Sequence, residues 1–372
     1  MNNTKVIAMY LPQYHCIPEN DEFWGKGFTD WVTVKKAEPL YEGHYQPQVP
    51  LNDNYYDLSI KENVKWQAEL AREGGIYGFG VYHYWFNNEK NLLTKPAEIL
   101  RDNDDIDINY FFCWDNGNWK RSWSNVPGND WAPIADKQEK KHQGPQILIP
   151  YILGNRPDWE NHYNYLSSHF KSKNYIKKNN KPVFCIFGYS KDILPMCECW
   201  NECAKRDGFD GVYIIFKNTR EAVLPKDMPR YDYEPHATGW WTPLSLWERA
   251  LRKLHLFQPK EQPITYYDYD ELWNTLLAKA EKHSGKQWYH GAFVSYDDSP
   301  RRGRLKSRIV KGATPEKFEK YMTELIRISN RQEKDFVFLT AWNEWGEGAY
   351  LEPDTKNENK YLIALKKALN KQ

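Results

Sequence analysis

Phe336-Val-Phe-Leu-Thr-Ala-Trp-Asn-Glu-Trp-Gly-Glu-Gly-Ala-Tyr-Leu-Glu-Pro-Asp354 opens as a short apolar run of strand type. From Trp342 it becomes dense in side chains that stack on rings and move protons: Trp342, Asn343, Glu344, Trp345, Glu347 and Tyr350. It reads as a strand that ends in a site. Glu344 and Glu347 stand three residues apart, and Gly346 and Gly348 beside them let the backbone turn so that both carboxyls face one side. Two carboxyls in unlike surroundings can divide acid and base roles.

The same rhythm extends upstream. Lys5–Leu11 reads as a strand leaving through Pro12-Gln-Tyr-His15, and Asp57–Gly74 as an amphipathic helix with Ile60, Val64, Gln67 and Ala71 along one face. Tyr77–Tyr84 is the next strand and delivers Tyr82, His83, Tyr84 and Trp85 at its end. Leu92–Leu100 (helix) and Ile108–Trp114 (strand) follow, with Asp115-Asn-Gly-Asn-Trp119 as the exit; Gln146–Ile152 suits an inserted hairpin. Strands are then expected at Val183–Gly188, Val212–Lys217, Tyr231–Pro235 and Trp288–Tyr296, with helices at Ile193–Arg206, Trp240–Leu256, Asp270–His283 and Asn359–Leu369. Thr314 is a good N-cap with Pro315 at the first helical position, ahead of Phe318, Met322 and Leu325 on an inner face. Strand then helix, about eight times over, predicts a (β/α)8 TIM-type barrel with long loop insertions at its C-terminal face. No linker or repeat divides the chain, so residues 1–372 are read as a single domain, with Asn118–Gln143 as a long polar loop; a doubly wound α/β sheet is the alternative.

Lys+Arg 51 against Asp+Glu 50 gives no general electrostatic case for nucleic acid or an anionic membrane. No run is long enough for a membrane span, mean hydropathy is -0.84, and Met1-Asn-Asn-Thr-Lys-Val-Ile-Ala-Met-Tyr10 has no signal-peptide pattern, which predicts a cytoplasmic protein. Aromatics reach 16%, with Trp 17 and Tyr 26, more rings than an aliphatic core needs. Many lie beside Asn, Asp, Gln and His, a pairing that suits sugar rings and their hydroxyls. An oligosaccharide or polysaccharide is therefore the expected partner. The six cysteines make no disulfide framework, and Cys199 and Cys203, one helical turn apart near Cys197, lack a matching second pair for zinc, so no metal or other cofactor is expected.

Strand ends face the site in a barrel, so Tyr10, Tyr82, His83, Tyr84 and Trp85 are candidate sugar contacts. His44, Tyr45 and Gln46 are candidates from the loop after the first strand; Trp114, Asn116 and Trp119 from the third; Trp342, Asn343 and Tyr350 from the last. Asp298 and Arg301 read as a structural ion pair more than as sugar contacts. A nucleotide-sugar glycosyltransferase is the competing class, with Asp105-Ile-Asp107 and Asp268-Tyr-Asp270 as metal-diphosphate patterns; the first precedes its strand and would sit on the face opposite the glutamates. A non-catalytic carbohydrate-binding protein would keep the rings but lose a glutamate, and both are present.

Tyr10-Leu-Pro-Gln-Tyr-His15, Trp24-Gly-Lys-Gly-Phe-Thr-Asp-Trp31, Gly43-His-Tyr-Gln-Pro47, Tyr82-His-Tyr-Trp-Phe86, Cys113-Trp-Asp-Asn116, Asp298-Ser-Pro-Arg301 and Ala341-Trp-Asn-Glu-Trp-Gly-Glu-Gly-Ala-Tyr-Leu-Glu-Pro353 resemble the WbsX-like proteins, also called glycoside hydrolase family 99-like. That resemblance spans nearly the whole chain. It implies a (β/α)8 barrel and, by analogy with the more distant family 99 endo-α-mannosidases, a retaining glycosidase that needs no metal. An endo-acting enzyme on α-mannoside-like linkages of a bacterial polysaccharide follows, although the family's older label is glycosyltransferase. The relatives' mechanism runs through a 1,2-anhydro sugar. It casts Glu344 as the base that assists the sugar 2-hydroxyl and Glu347 as the acid, then base, with Glu347 protonated and Glu344 ionised at neutral pH. Gly346 stands where those enzymes usually carry a side chain.

Overall fold

The computed structural model describes residues 3–120, 147–219, 224–238, 264–304 and 307–371. Its centre is a ring of eight parallel strands: β1 Lys5–Tyr10, β2 Gly78–Asn87, β3 Asn109–Trp114, β4 Lys181–Ile186, β5 Tyr213–Asn218, β6 Arg230–Asp232, β7 Trp288–Phe293 and β8 Phe336–Thr340. Neighbours in the chain are neighbours in the ring. It closes where β1 pairs with β8 (Val6 opposite Val337) on one side and with β2 (Ala8 opposite Phe79) on the other. The (β/α)8 barrel is thus the architecture, and the open doubly wound sheet is not.

Aromatic side chains fill the barrel. Phe338 stacks on Tyr231 with ring centres 4.3 Å apart and meets Phe111 edge-on at 6.0 Å. A glycine is required at 291 on β7: a Cβ there would lie 1.8 Å from the Asp232 carbonyl oxygen on β6, so only a bare backbone lets the two strands meet. Around the ring lie α1 Lys61–Glu73, α2 Lys95–Asp102, α3 Arg156–Phe170, α4 Leu194–Arg206, α5 Tyr269–Lys282, α6 Pro315–Arg331 and α7 Lys360–Asn370. The Thr314 hydroxyl accepts the Lys317 N–H and caps α6, whose Phe318, Met322 and Leu325 are buried. On α1, Val64, Gln67 and Ala71 are buried as the spacing predicts, but Ile60 precedes the first turn and is exposed.

Helix α3 had no aliphatic stripe to announce it. Its inner face carries His162, Tyr163, Ser167 and His169, satisfied by partners in space such as the Tyr110 hydroxyl 3.0 Å from His169 Nδ1. Within the stretch expected as an inserted hairpin, Ile147–Ile149 forms a short strand antiparallel to Trp119–Lys120; the chain between them lies outside the described residues. The helix expected at 240–256 and most of the expected loop at 118–143 lie outside the described residues. Among the described residues no helix is long and apolar enough to cross a membrane.

Candidate active site

Strand β8 ends at Thr340, and the chain after it is pinned before it can wander. Trp342 N–H donates to the Met9 carbonyl at 2.7 Å. The Asn343 side chain then works as a piece of backbone: its Oδ1 accepts Leu11 N–H at 2.7 Å while its Nδ2 donates to Leu11 O at 3.0 Å. Tyr14 hydroxyl donates to Asn343 O at 2.6 Å and accepts Trp345 N–H at 3.2 Å. From behind, buried Glu352 accepts Trp345 Nε1 at 2.6 Å, Tyr56 hydroxyl at 2.7 Å and Gln67 Nε2 at 2.7 Å. Burial lifts this carboxyl to about 7 even with those donors. The turn that carries Glu344 and Glu347 is therefore clamped by the exit of β1 and by α1.

The two glutamates share one cation. Arg301, on the short helix Ser299–Arg302 after β7, donates Nη1 to Glu347 Oε1 at 2.7 Å and Nη2 to Glu344 Oε2 at 3.1 Å. The same Nη2 reaches Asp30 Oδ2 at 3.0 Å, on the short helix Asp30–Lys35. Arg301, Asp30 and Glu344 are all buried. Three carboxylates around one guanidinium leave an excess of negative charge in a dry place, which favours keeping a proton. Burial, with Glu347 and Asp30 adding to it against Arg301, lifts Glu344 to about 8. The structure thus favours a proton on Glu344, against the ionised state that the resemblance implies.

This has a measurable sign. A carboxyl held near 8 in the folded chain and near its ordinary value unfolded keeps an extra proton between those limits, so its stabilisation is present below about pH 4.5 and lost as pH rises through 8. We expect the thermal midpoint to fall by a few degrees from pH 5 to pH 8, and this fall to shrink in Glu344→Gln.

Gly346 lies where the Arg301–Asp30 pair crosses the turn. A Cβ at this position would stand 2.5 Å from Arg301 Nε and 2.6 Å from Asp30 Oδ2. The missing side chain is thus the room that the ion pair occupies. Gly346→Ala is expected to cost about 1–3 kcal/mol, because both neighbours are held by other bonds; a shift of the urea midpoint checks this. The pairing of Asp298 with Arg301 is a correction: Asp298 instead binds Arg302 at 3.1 Å and Arg308 at 3.0 Å.

Strand pleating sorts the sequence candidates, since alternate side chains face opposite ways. On β2, Tyr82 and Tyr84 face the barrel mouth. Tyr82 hydroxyl lies 3.2 Å from that of Tyr233, and burial together with Asp115 and Glu344 pushes the Tyr84 hydroxyl well above its usual pKa. His83 and Trp85 point the other way, into the helix layer. His83 Nε2 meets His162 Nε2 at 2.8 Å, burial drops its pKa to about 3, and Trp85 stacks on His162 at 4.2 Å. Trp114 joins them, 4.9 Å from the His162 ring, with Nε1 on the Trp85 carbonyl. Tyr10 likewise turns outward and donates to Gln67 on α1 at 2.6 Å. These four are packing residues, and the sugar contacts expected of Tyr10, His83, Trp85 and Trp114 are corrected accordingly.

The remaining candidates frame the mouth. Trp119 packs 5.5 Å from Tyr84 and lines a small cavity with Gln13, Trp24 and Asp115. Asn116 clamps the loop after β4, Nδ2 to Gly188 O at 2.8 Å and Oδ1 to Gly188 N at 2.6 Å. His44 accepts Leu40 N–H on Nδ1, so the proton sits on Nε2 and is donated to Asp297 at 2.7 Å; Gln46 Nε2 donates to the same oxygen at 2.9 Å. Asp297 N–H in turn holds the Glu347 carbonyl at 2.6 Å, so His44 and Gln46 brace the glutamate turn. Tyr350 stacks on Trp345 at 3.7 Å and donates to Asp354, and Tyr45 at the rim bonds Thr355. Trp342 is fully buried, 5.5 Å from Phe79, and is core. Asp30, Tyr14, Asp115, Asp297 and Lys217 also belong to this end of the barrel and were not singled out from sequence; Asp30 and Arg301 both sat inside motifs read for resemblance.

Neither acidic pair of the transferase pattern is near. Asp105 is bound by Lys61 at 2.8 Å and Lys65 at 2.9 Å, and Asp107 by Arg72, at the opposite end of the barrel. Asp268 caps α5, and Asp270 pairs with Lys317 and Tyr321. Among the described residues, Glu160, Cys199 and Cys203 have ligand atoms within 4.8 Å of one another, but Arg206 donates to the Cys203 sulfur at 2.9 Å and Arg156 to Glu160 at 3.2 Å.

A family model described as Glycosyltransferase WbsX matches residues 6–365. Two curated relatives, each an uncharacterized protein WxcX from a strain of Xanthomonas campestris pv. campestris, are 28% identical over 98% of this chain and 50% of their own length. The chain thus spans about half of the relatives it matches. Among solved structures, a glycoside hydrolase-like protein aligns over 99% of this chain and 94% of its own at 13% identity, TM-score 0.57. The GH99 endo-alpha-mannosidase from Bacteroides thetaiotaomicron aligns over 98% and 96% at 12% identity, TM-score 0.52. At such identities the likeness is one of fold.

Proposed function

The chain belongs to the family described as Glycosyltransferase WbsX, and from that premise we propose that it is a retaining glycoside hydrolase that cleaves inside a polysaccharide at an α-mannoside-like linkage. The observation that carries the reading is the pair of carboxylates, Glu344 and Glu347, forked on the two ends of one guanidinium at the C-terminal mouth of the barrel. Glu347 Oε2 is buried and has no hydrogen-bond partner among the described residues, which leaves an oxygen to present a proton to a glycosidic oxygen. Glu347 takes the part of the acid and Glu344 that of the base, and the burial that lifts Glu344 to about 8 makes it a stronger base than an ordinary glutamate.

In the first step Glu344 takes the proton of the sugar 2-hydroxyl as O2 attacks C1. The glycosidic bond breaks, and Glu347 gives its proton to the leaving oxygen. Water then enters: Glu347 takes its proton, the hydroxyl attacks C1, the three-membered ring opens and Glu344 returns its proton to O2. Two inversions give net retention, and each carboxyl ends as it began.

The test is incubation of the purified protein with bacterial and yeast polysaccharides, without nucleotide sugar or added metal, reading released oligosaccharides by mass spectrometry. Release with retained anomeric configuration is expected. Release of nothing, together with turnover of a nucleotide sugar once Mn²⁺ is added, would return the chain to the activity in its family's description.

A further inference from the structure

Strand β5 places Ile215 in the barrel core and, two residues on, Lys217 in the layer above it. The ammonium is close enough to Cys113 and Cys185 below, and to Asp115 and Glu347 above, for each to act on it electrostatically. Its Nζ rests 3.4 Å over the centre of the Phe187 ring, beyond β4, and 4.8 Å over that of Tyr233, beyond β6. Tyr233 in turn touches Tyr82 and feels both Glu347 and Glu344. Lys217 thus forms part of the floor of the mouth, one aromatic ring away from the glutamate pair.

What it lacks is an acceptor. Among the described residues Lys217 makes no hydrogen bond and no ion pair, and the aromatic faces beneath it satisfy charge but not its three N–H donors. Arg301, by contrast, has its acids in contact. A substrate ring seated over this floor strips the remaining water from the ammonium, which is costly unless the substrate brings its own acceptor, best a charged one. Burial already pulls the lysine below its ordinary pKa, with Asp115 and Glu347 acting against that fall.

We propose that the site takes an acidic glycan, in which an anionic group on a sugar unit next to the cleaved linkage is bound by Lys217. This rests on the hydrolase reading for the position of the cleaved bond but not for the binding itself. A carboxylate or a phosphate on the sugar would meet the same ammonium.

Binding is the test, because it does not need turnover. The Glu347→Gln protein is titrated with matched pairs: glucuronate-containing oligosaccharides and their carboxyl-reduced forms, and phosphorylated yeast mannan fragments and their dephosphorylated forms. The acidic member of one pair is expected to bind at least about tenfold tighter, with a preference that weakens as salt is raised, and the pair that shows it identifies the anion. Adding Lys217→Met should bring the ratio close to one, while Lys217→Arg should keep most of it. Equal binding of both members, a preference untouched by Lys217→Met, or binding of neither pair by the folded protein would overturn the proposal. A protein that prefers acidic glycans yet releases nothing from them as wild type would sink the hydrolase reading and leave this one standing.

Discussion

Glu347→Gln is expected to lower glycan cleavage by roughly 100- to 10,000-fold while leaving the fold intact. The amide keeps the volume of the acid and keeps an oxygen for Arg301 Nη1, now 2.7 Å from Oε1, but it has no proton to give. The loss should depend on the leaving group. A native sugar leaves as an alkoxide unless it is protonated, whereas an aryl group with an acidic phenol leaves unaided. The deficit should therefore narrow by at least tenfold on an activated aryl glycoside. If Glu344→Gln shows that narrowing and Glu347→Gln does not, the two carboxyls have the opposite roles.

The larger structural effect belongs to Arg301→Met. Removing one partner of a buried ionic cluster costs about 3–5 kcal/mol, because the others stay buried without their counter-charge. Here Asp30, Glu344 and Glu347 would remain facing one another. The variant should be least stable at neutral pH and regain part of the loss toward pH 5, as the carboxyls take up protons that relieve their repulsion. Urea unfolding at both pH values measures this. Arg301→Lys should fall between, since a single ammonium cannot fork across two acids. An Arg301→Met protein within about 1 kcal/mol of wild type at pH 7 would mean that the cluster does not hold the turn.

Much of the plan was legible in the residues. The strand-to-site rhythm that ends at Trp342 predicted the barrel, and the Glu344–Gly346–Glu347 spacing picked out the pair that meets Arg301. What was not legible depended on direction or on distance. Tyr82, His83, Tyr84 and Trp85 sit together in the sequence, yet the pleat sends two into the mouth and two into the helices. Position at a strand end was read without its phase. Asp30 and Arg301 are 271 residues apart and join only in the closed ring. Local spacing holds no trace of that contact, although the bare Gly346 in a crowded turn was its one local sign. Lys217, directly after the apolar run Tyr213–Phe216 of its strand, was a visible break in pattern that a phase-aware reading would have marked.

The latch between Leu11 and Asn343 spans 332 residues. For a chain made from its N-terminus on a ribosome, β1 must wait with one edge open until β8 has emerged. Only then can the last strand slot in beside it and bring the paired acids to their arginine. Contacts of such long range are slow to form and leave sticky edges exposed meanwhile. Until that late moment a growing chain keeps its two carboxyls and their arginine from forming one cluster, so the paired site is a property of the closed ring alone.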